Sequence, residues 1–153
     1  MKSLAETPAH LLSLVLLAEP FAAATTAGQT VAFVDDGRQN VAEETAFRDA
    51  GFFARVLPPI EAKTVSQGAG RGVVDVGLAV RLAVNPGWTN ADGENAPANI
   101  WTLIQNVKAQ VLGWDPPAVE RERYQLGETA LSLDLSDPGQ LAYLLFFQKR
   151  CAF

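Results

Sequence analysis

The sequence predicts an α+β protein: a mainly antiparallel sheet of four to five strands with two main helices packed on one face. Three observations support this prediction. Residues 73–84, VVDVGLAVRLAV, alternate between an apolar set and a small or charged set, as a half-buried strand does. Apolar residues recur at helical spacing in 7–18 and in 97–112. Residues 141–147, LAYLLFF, are apolar on both faces, as expected of a strand that is central or covered by a partner.

Composition limits the classes of function. The chain has 153 residues, of which 48% are hydrophobic and 19% charged, which is typical of one globular domain spanning 1–153. The formal net charge of −5 argues against a general nucleic-acid-binding protein. With one cysteine, Cys151, and one histidine, His10, the chain can form no internal disulfide and no zinc site of the usual Cys/His kind. We expect a reducing compartment and no cofactor.

The strand at 73–84 organises the rest of the prediction. Its even-numbered residues are all valine or leucine, whereas the odd-numbered ones include Asp75, Gly77 and Arg81. A slip of one residue would exchange the two faces, so the pairing is strongly specified. The small residues of the odd-numbered face would let a second surface approach closely, and Asp75 and Arg81 could set the register of that contact.

The first helix is predicted to begin at Thr7-Pro8, since threonine can cap free N–H groups and proline suits the first helical position. Ser3 and Glu6 offer a competing capping box one turn earlier. We expect the helix to end near Ala18, because Glu19-Pro20 disfavours its continuation.

Residues 11–18, LLSLVLLA, also resemble the apolar region of a signal peptide. A helix of the folded protein is the better interpretation, because Glu6 and His10 stand where a signal needs positive charge. The run is also far shorter than the ~20 residues that cross a bilayer. We therefore expect no membrane association.

Short elements follow the first helix. In order, they are a loop or frayed helix at 21–29, a strand at 30–34, a helix from Asn40 to Ala50 and a strand at 52–57. The turn at Asp35-Asp36-Gly37 closes the first strand, and Gly51 ends the helix. Pro58-Pro59 marks the exit of the second strand or a sheet edge.

We expect 52–65 and 73–84 to form an antiparallel pair with a long flexible tip, because residues 66–72, SQGAGRG, hold three glycines. A G-x-G pattern also occurs in phosphate-binding loops, but those loops lead into a helix and this segment leads into a strand. Arg71 at the tip either touches a partner or is a solvated loop arginine.

The second main helix is predicted from Pro97 to Leu112, with Asn95 or Ala96 before it and Gly113 as its C′ residue. Trp114 can then fold back onto the last turn.

The loop before this helix, 87–96, has oxygen side chains at Asn90, Asp92 and Glu94, which is part of a calcium-loop pattern without its flanking helices. Trp88 in this loop would be a contact residue if exposed and a lid if buried.

The C-terminal part predicts two more strands. After an ambiguous charged stretch at 118–127, residues 129–135 alternate as a half-buried strand. A turn at Asp137-Pro138-Gly139 leads into the final strand. We expect the end of this strand to reach solvent at Lys149 and Arg150.

No motif of enzymatic chemistry is convincing, so we expect a protein that is not an enzyme. His10 lies on an apolar-rich helix, where a core or surface histidine is the ordinary case. Cys151 lies beside two cations that could lower its pKa, but no second catalytic group accompanies it. The carboxylate pairs Asp35-Asp36 and Glu43-Glu44 would suit acid–base chemistry or magnesium, yet each has an ordinary role at a turn or helix start.

In pattern, the chain resembles the tail terminator (tail completion) proteins of long-tailed bacteriophages. The resemblance rests on the leucine-rich first helix, the hairpin with a glycine-rich tip ending in VVDVGLAVRLAV, the helix PANIWTLIQNVKAQVLGW and the closing strand LAYLLFFQKR. Two segments depart from the family pattern. Residues 30–50 look like an insertion, and 118–127 have no clear counterpart.

The resemblance implies a structural subunit that forms a hexameric ring, caps the finished tail tube and docks to the head. Its implied partners are copies of itself, the tail tube protein and the head-tail connector protein. It would be assembled in the host cytoplasm and reside in the virion, where DNA could pass through the ring without specific recognition. The candidate contact residues are Gln67, Arg71, Asp75, Arg81, Trp88, Lys149 and Arg150.

Two alternatives stay open. One is another neck, connector or tail-tube-like subunit of a phage. The other, from a different class, is a small-molecule-binding or enzymatic α+β domain.

Overall fold

A six-stranded mixed sheet forms the centre of the protein. The computed structural model describes residues 1–37, 40–89 and 99–153. The strands are β1 (Ala32–Val34), β2 (Phe52–Val56), β3 (Glu61–Gly68), β4 (Arg71–Val84), β5 (Gln125–Asp134) and β6 (Leu141–Ala152). The helices are α1 (Thr7–Val15), α2 (Phe21–Thr26), α3 (Asn40–Asp49) and α4 (Ile100–Leu112), and a 3-10 turn at Leu4–Glu6 precedes α1.

The strand order is β1-β2-β4-β6-β5, and β3 pairs with the N-terminal part of β4. The β1–β2 pair is parallel and the other pairs are antiparallel. β4 and β6 pair over twelve consecutive positions, from Val73 opposite Ala152 to Val84 opposite Leu141. β6 therefore lies between β4 and β5, which is the central position that its apolar sequence predicted.

The alternation along β4 sorts its side chains as predicted. On one face, here called the inner face, the even-numbered residues from Val74 to Val84 are each at most 6% exposed. α1 and α4 pack against this face, with Leu11 and Leu103 in the same core. Burying each such side chain contributes roughly 1.5–3 kcal/mol. The prediction of an α+β protein with two main helices on one face is confirmed, although the sheet has six strands.

A further helix covers part of the opposite face, here called the outer face. α3 places Ala46 in a second core with Phe33, Phe53 and Ala83. The small residues at the Ala83 end of β4 are thus covered by the chain's own helix, which the sequence analysis did not anticipate. The other half of this face of β4, from Val73 to Gly77, is partly exposed.

The glycine-rich segment is a tight hairpin, and the prediction of a long flexible tip was wrong. β3 and β4 pair up to a turn of two residues, Ala69 and Gly70. Both have positive φ, 49° and 73°, the conformation of two-residue turns whose twist matches a hairpin. The predicted antiparallel pairing of 52–65 with 73–84 is confirmed, with two strands, β2 and β3, that separate at Pro58-Pro59 because proline lacks the N–H that a ladder needs.

Both predicted starts of the first helix are used. Glu6 Oε2 accepts hydrogen bonds from the Ser3 N–H and hydroxyl at 2.9 and 2.8 Å, and these hold the 3-10 turn. α1 then begins at Thr7-Pro8 and ends at Val15, three residues before the predicted end. The segment predicted as a loop or frayed helix at 21–29 contains the short helix α2.

The ends of α4 also differ from the prediction. The helix begins at Ile100, where Asn99 Oδ1 accepts the Thr102 N–H at 2.9 Å and so caps the first turn. The predicted cap and the proline at 95–97 lie outside the described residues. Gly113 has φ −79°, so it is not the left-handed C′ residue that was predicted.

We expect Gly51→Ala to lower the free energy of unfolding by about 3 kcal/mol. Gly51 has φ +80°, and an added Cβ would lie 2.6 Å from Trp88 Cγ, so the substitution combines backbone strain with a clash. Gly28→Ala is the control, because Gly28 has φ +82° and open space at its Cβ position. It should lose only about 1 kcal/mol from the strain. Urea unfolding measures both, and equal losses would show that the contact with Trp88 costs nothing.

Candidate functional site

The seven predicted contact residues lie in three separate places. Gln67, Arg71, Asp75 and Arg150 lie on the β3–β4 hairpin and on the strands next to it, and all four are exposed or half-buried. Arg81 and Lys149 are buried inside the chain. Trp88 lies beyond β4, beside the end of α3. The first group is therefore the part of the prediction that forms an accessible surface.

Asp75 and Arg150 face each other across the β4–β6 pair. Arg150 Nε donates to Asp75 Oδ1 at 2.8 Å, and Nη2 donates to Oδ2 at 3.1 Å. The hydrogen bonds from Arg150 lower the pKa of Asp75, so the pair stays charged on the outer face. Such a fork-shaped pair fixes the direction of both side chains and leaves neither charge free for a different partner.

Arg81 is 3% exposed, so its prediction as a partner contact was wrong. Its Nε donates to Asp134 Oδ2 at 2.7 Å, and its Nη1 donates to Gln140 Oε1 at 2.7 Å. Burial alone would raise the pKa of Asp134, but the hydrogen bonds from Arg81 and Ser136 outweigh it and bring the pKa to about 2. Arg81 therefore holds the β5–β6 turn onto the sheet.

Lys149 is 2% exposed, so its predicted course towards solvent was also wrong. The alternation along β6 turns this residue to the inner face together with Phe147 and Cys151. Its Nζ lies 4.6 Å from the Trp114 ring centre and 4.7 Å from the Tyr124 ring centre. Nζ has no hydrogen-bond partner, and burial lowers the pKa of Lys149. Contact with the two ring faces partly offsets the loss of hydration.

Lys149 belongs to a group that we call the His10 cluster: His10, Trp114, Tyr124 and Lys149. His10 Nδ1 and the Tyr124 hydroxyl are 2.8 Å apart, and the Trp114 ring meets His10 edge-on at 4.5 Å. Burial, followed by the charges of Lys149 and Lys2, lowers the pKa of His10 to about 4. The sequence did not indicate that Tyr124 and Lys149 belong to this cluster. Tyr124 lies in the ambiguous charged stretch, and Lys149 follows a polar residue.

Cys151 is fully buried, with its Sγ 3.3 Å from Thr7 Oγ1. Burial raises the pKa of this thiol, although the nearby Lys149 acts in the opposite direction. The adjacent Lys149 therefore acts in the suggested direction, but burial outweighs it and the pKa of Cys151 is raised. A buried thiol of this kind is poorly nucleophilic.

The two carboxylate pairs have structural contacts. Glu43 forms an ion pair with Arg55, whose Nε also lies 3.7 Å from Asp35 Oδ2. Asp35 Oδ1 accepts the Gly37 N–H at 2.9 Å, as expected of an aspartate in a turn. Over residues 1–37, 40–89 and 99–153, no three His, Cys, Asp or Glu side chains are placed to hold a metal ion. The partial calcium pattern at Asn90, Asp92 and Glu94 lies outside the described residues.

Trp88 is half-buried and acts as a lid on its own chain. Its Nε1 donates to the Arg48 carbonyl at 2.9 Å, which satisfies one free carbonyl near the end of α3. Its ring lies over Gly51, where any side chain would displace it.

The accessible surface contains a groove of about 280 Å³ on the outer face. Its floor includes Gly77 and Phe146, and one wall is formed by Ile60 together with Glu61 and Lys63 of β3. The other wall is a bulge in β5, where four residues, 127–130, stand opposite the single residue Phe146 of β6. The groove has four charged side chains: Glu61, Lys63, Asp75 and Glu128.

The sheet has two long uncovered edges on opposite sides. All eight residues of β3 are exposed, and half of the ten residues of β5 are exposed. In the part of the chain that the structure describes, β3 pairs only with β4 and β5 pairs only with β6. Each strand therefore has one edge of backbone N–H and C=O groups that is free to pair.

No family model matches the sequence, and no curated protein is significantly similar to it. The described helices are all too short or too polar to cross a lipid bilayer.

Stability is expected to fall as His10 becomes protonated. His10 takes up a proton at about pH 4 in the folded state and near its ordinary value of 6.5 when unfolded, so the unfolded state binds more protons between these values. The free energy of unfolding should be highest above pH 6.5. It should fall by about 1–2 kcal/mol as the pH decreases towards 4, after allowance for the partial exposure of His10. Urea midpoints from about pH 7.5 to 4.5 measure this, and His10→Asn should flatten the slope. An unchanged slope in that variant would assign the effect to other groups.

We expect Lys149→Met to keep or raise the free energy of unfolding, by up to about 2 kcal/mol. Methionine fills similar space without an ammonium group to desolvate. The control is Lys108→Met on the polar side of α4, which should change stability by less than about 0.5 kcal/mol. Thermal and urea unfolding measure both variants. A large loss in Lys149→Met alone would show that the aromatic contacts outweigh desolvation.

Proposed function

We propose that the protein is a structural subunit that assembles head-to-tail into a ring, and that this ring is a tail terminator at the head-proximal end of a phage tail tube. One observation carries the proposal: a single sheet has two long uncovered edges, β3 and β5, on opposite sides. Exposed edges of this kind pair readily with another strand.

The two edges differ in sequence and shape, which favours one kind of assembly. β3 ends in the tight hairpin, whereas β5 carries the bulge at 127–130. A contact between two different surfaces is heterologous, so each subunit keeps one free surface of each kind and the chain of contacts either closes into a ring or grows as a filament.

The uncovered half of the outer face adds a second surface for contact. Val73, Gly77 and Phe146 are half-buried there, beyond the reach of α3. Partly exposed apolar and small residues beside two free edges are typical of surfaces that become buried in an assembly.

The resemblance in the first helix, the hairpin, α4 and the closing strand supports the more specific role of terminator. The proposed partners are further copies of the chain, the tail tube protein and the head-tail connector protein. With a net charge of −5, a ring of such subunits would let DNA pass without gripping it.

Native mass spectrometry and negative-stain microscopy test the proposal directly. We expect rings, with six subunits as the expected number. Val65→Lys on β3 should weaken assembly by about tenfold or more, because an edge lysine opposes strand pairing. Val119→Lys is the matched control, since Val119 is 88% exposed and lies outside both edge strands. The control should assemble like the wild type.

A protein that stays monomeric at high concentration would overturn the proposal. A small molecule bound in the outer-face groove of such a monomer would instead support a binding or enzymatic function. If the protein forms rings that bind a different layer of the neck or tail, the proposed ring is correct and the terminator role is wrong.

A further inference from the structure

We infer that Arg71 at the hairpin tip of one subunit inserts into the outer-face groove of the next subunit, between Glu61 and Glu128. This inference rests on the proposed ring and names one contact between its neighbouring subunits. The occupant of the groove is a second copy of this chain.

One cation of the sheet lacks a partner in its own subunit. The described strands carry six lysine or arginine residues: Arg55, Lys63, Arg71, Arg81, Lys149 and Arg150. Arg81 and Lys149 are buried, and the other cations except Arg71 have carboxylate partners in their own subunit. Within the described part of the sheet, Arg71 alone is both exposed and without an ion pair.

The groove is acidic. Three of its four charged side chains are carboxylates, and Asp75 is already bound to Arg150. Glu61 Oε1 lies 3.6 Å from Lys63 Nζ, but both side chains are more than half exposed, and such a pair is weak. Glu128 is exposed and has no ion pair among the described residues. The groove therefore has carboxylates on both walls and room for one more positive charge.

The shape of the groove also suits an arginine. The missing side chain of Gly77 lowers the floor between the walls, and Gly127 keeps the bulge close to Phe146, because a Cβ there would lie 3.1 Å from Phe146 Cβ. An arginine suits such a slot, since its aliphatic stem can cover the Phe146 ring while the guanidinium reaches a carboxylate.

The net charge of the chain also favours such a contact. Subunits with a charge of −5 repel one another, so a contact between copies needs a local cation placed against local carboxylates. The tight turn at Ala69 and Gly70 holds Arg71 at the very end of the hairpin, where it can reach a neighbour. Because the tip and the groove are different surfaces, the contact is head-to-tail.

Charge reversal at both sides of the contact tests the inference. Arg71→Glu and Glu128→Lys should each raise the concentration needed for half assembly by at least about tenfold, since each places like charges together. Arg121→Glu and Glu44→Lys are the matched controls, because both residues are exposed, neither belongs to the hairpin and neither lines the groove. Both controls should assemble like the wild type. Unfolding midpoints check that all four variants fold equally well.

Mixing the two reversed variants gives the sharper result. The tip of either variant attracts the groove of the other and repels its own groove, so the mixture should form rings in which the two variants alternate. Native mass spectrometry should then show equal numbers of both, which six-membered rings allow because six is even. The doubly reversed chain should assemble alone.

The outcomes separate this inference from the proposed function. If the wild type forms rings and Arg71→Glu assembles equally well, the tip-in-groove contact is wrong and the ring stands. If the reversed variants are weak but neither the mixture nor the double variant recovers, the two residues do not meet and the inference is also wrong. If the wild type never assembles, both the proposed function and this inference are wrong.

Discussion

The twelve-position pairing between β4 and β6 is the constraint on which the rest of the structure depends. It places Leu78 opposite Phe147 and Val80 opposite Leu145, and these side chains form the floor on which α1 and α4 pack. Because side chains alternate along a strand, a slip of one residue would turn Gln148 into the core and Phe147 out of it. Two long strands with one register therefore decide which face receives the helices and which face stays available for other contacts.

The same alternation explains why charged residues are buried in two different ways. Arg81 is satisfied by Asp134 and Gln140, so its charge ties the β5–β6 turn to the sheet. Lys149 has aromatic rings in place of hydrogen bonds, so its charge is tolerated rather than fully compensated. Both residues are buried, so neither contributes to the accessible surface. The hairpin, the groove and the two edges remain accessible.

Much of the fold could be predicted from the sequence, because strong periodicity needs only local information. The faces of β4, the central position of β6 and the existence of α4 all follow from the spacing of apolar residues. What failed depended on distant contacts. The predicted pairing of 52–65 with 73–84 did not reveal that β3 continues to Gly68 and leaves one edge free, and the burial of Lys149 depends on Trp114 and Tyr124, which approach from elsewhere in the chain. The groove was missed for the same reason, since the β5 bulge becomes visible only against Phe146.

The β5 bulge has a consequence for variation and engineering. Residues on either side of it, Leu126 and Leu131, are held in register by Phe147 and Leu145, while 127–130 loop away from the ladder. Lengthening or shortening this loop by a residue leaves both flanking registers intact, since the extra chain is already excluded from pairing. The height and charge of one groove wall can thus change without refolding the sheet, so related chains could diverge in partner choice while sharing an unaltered scaffold.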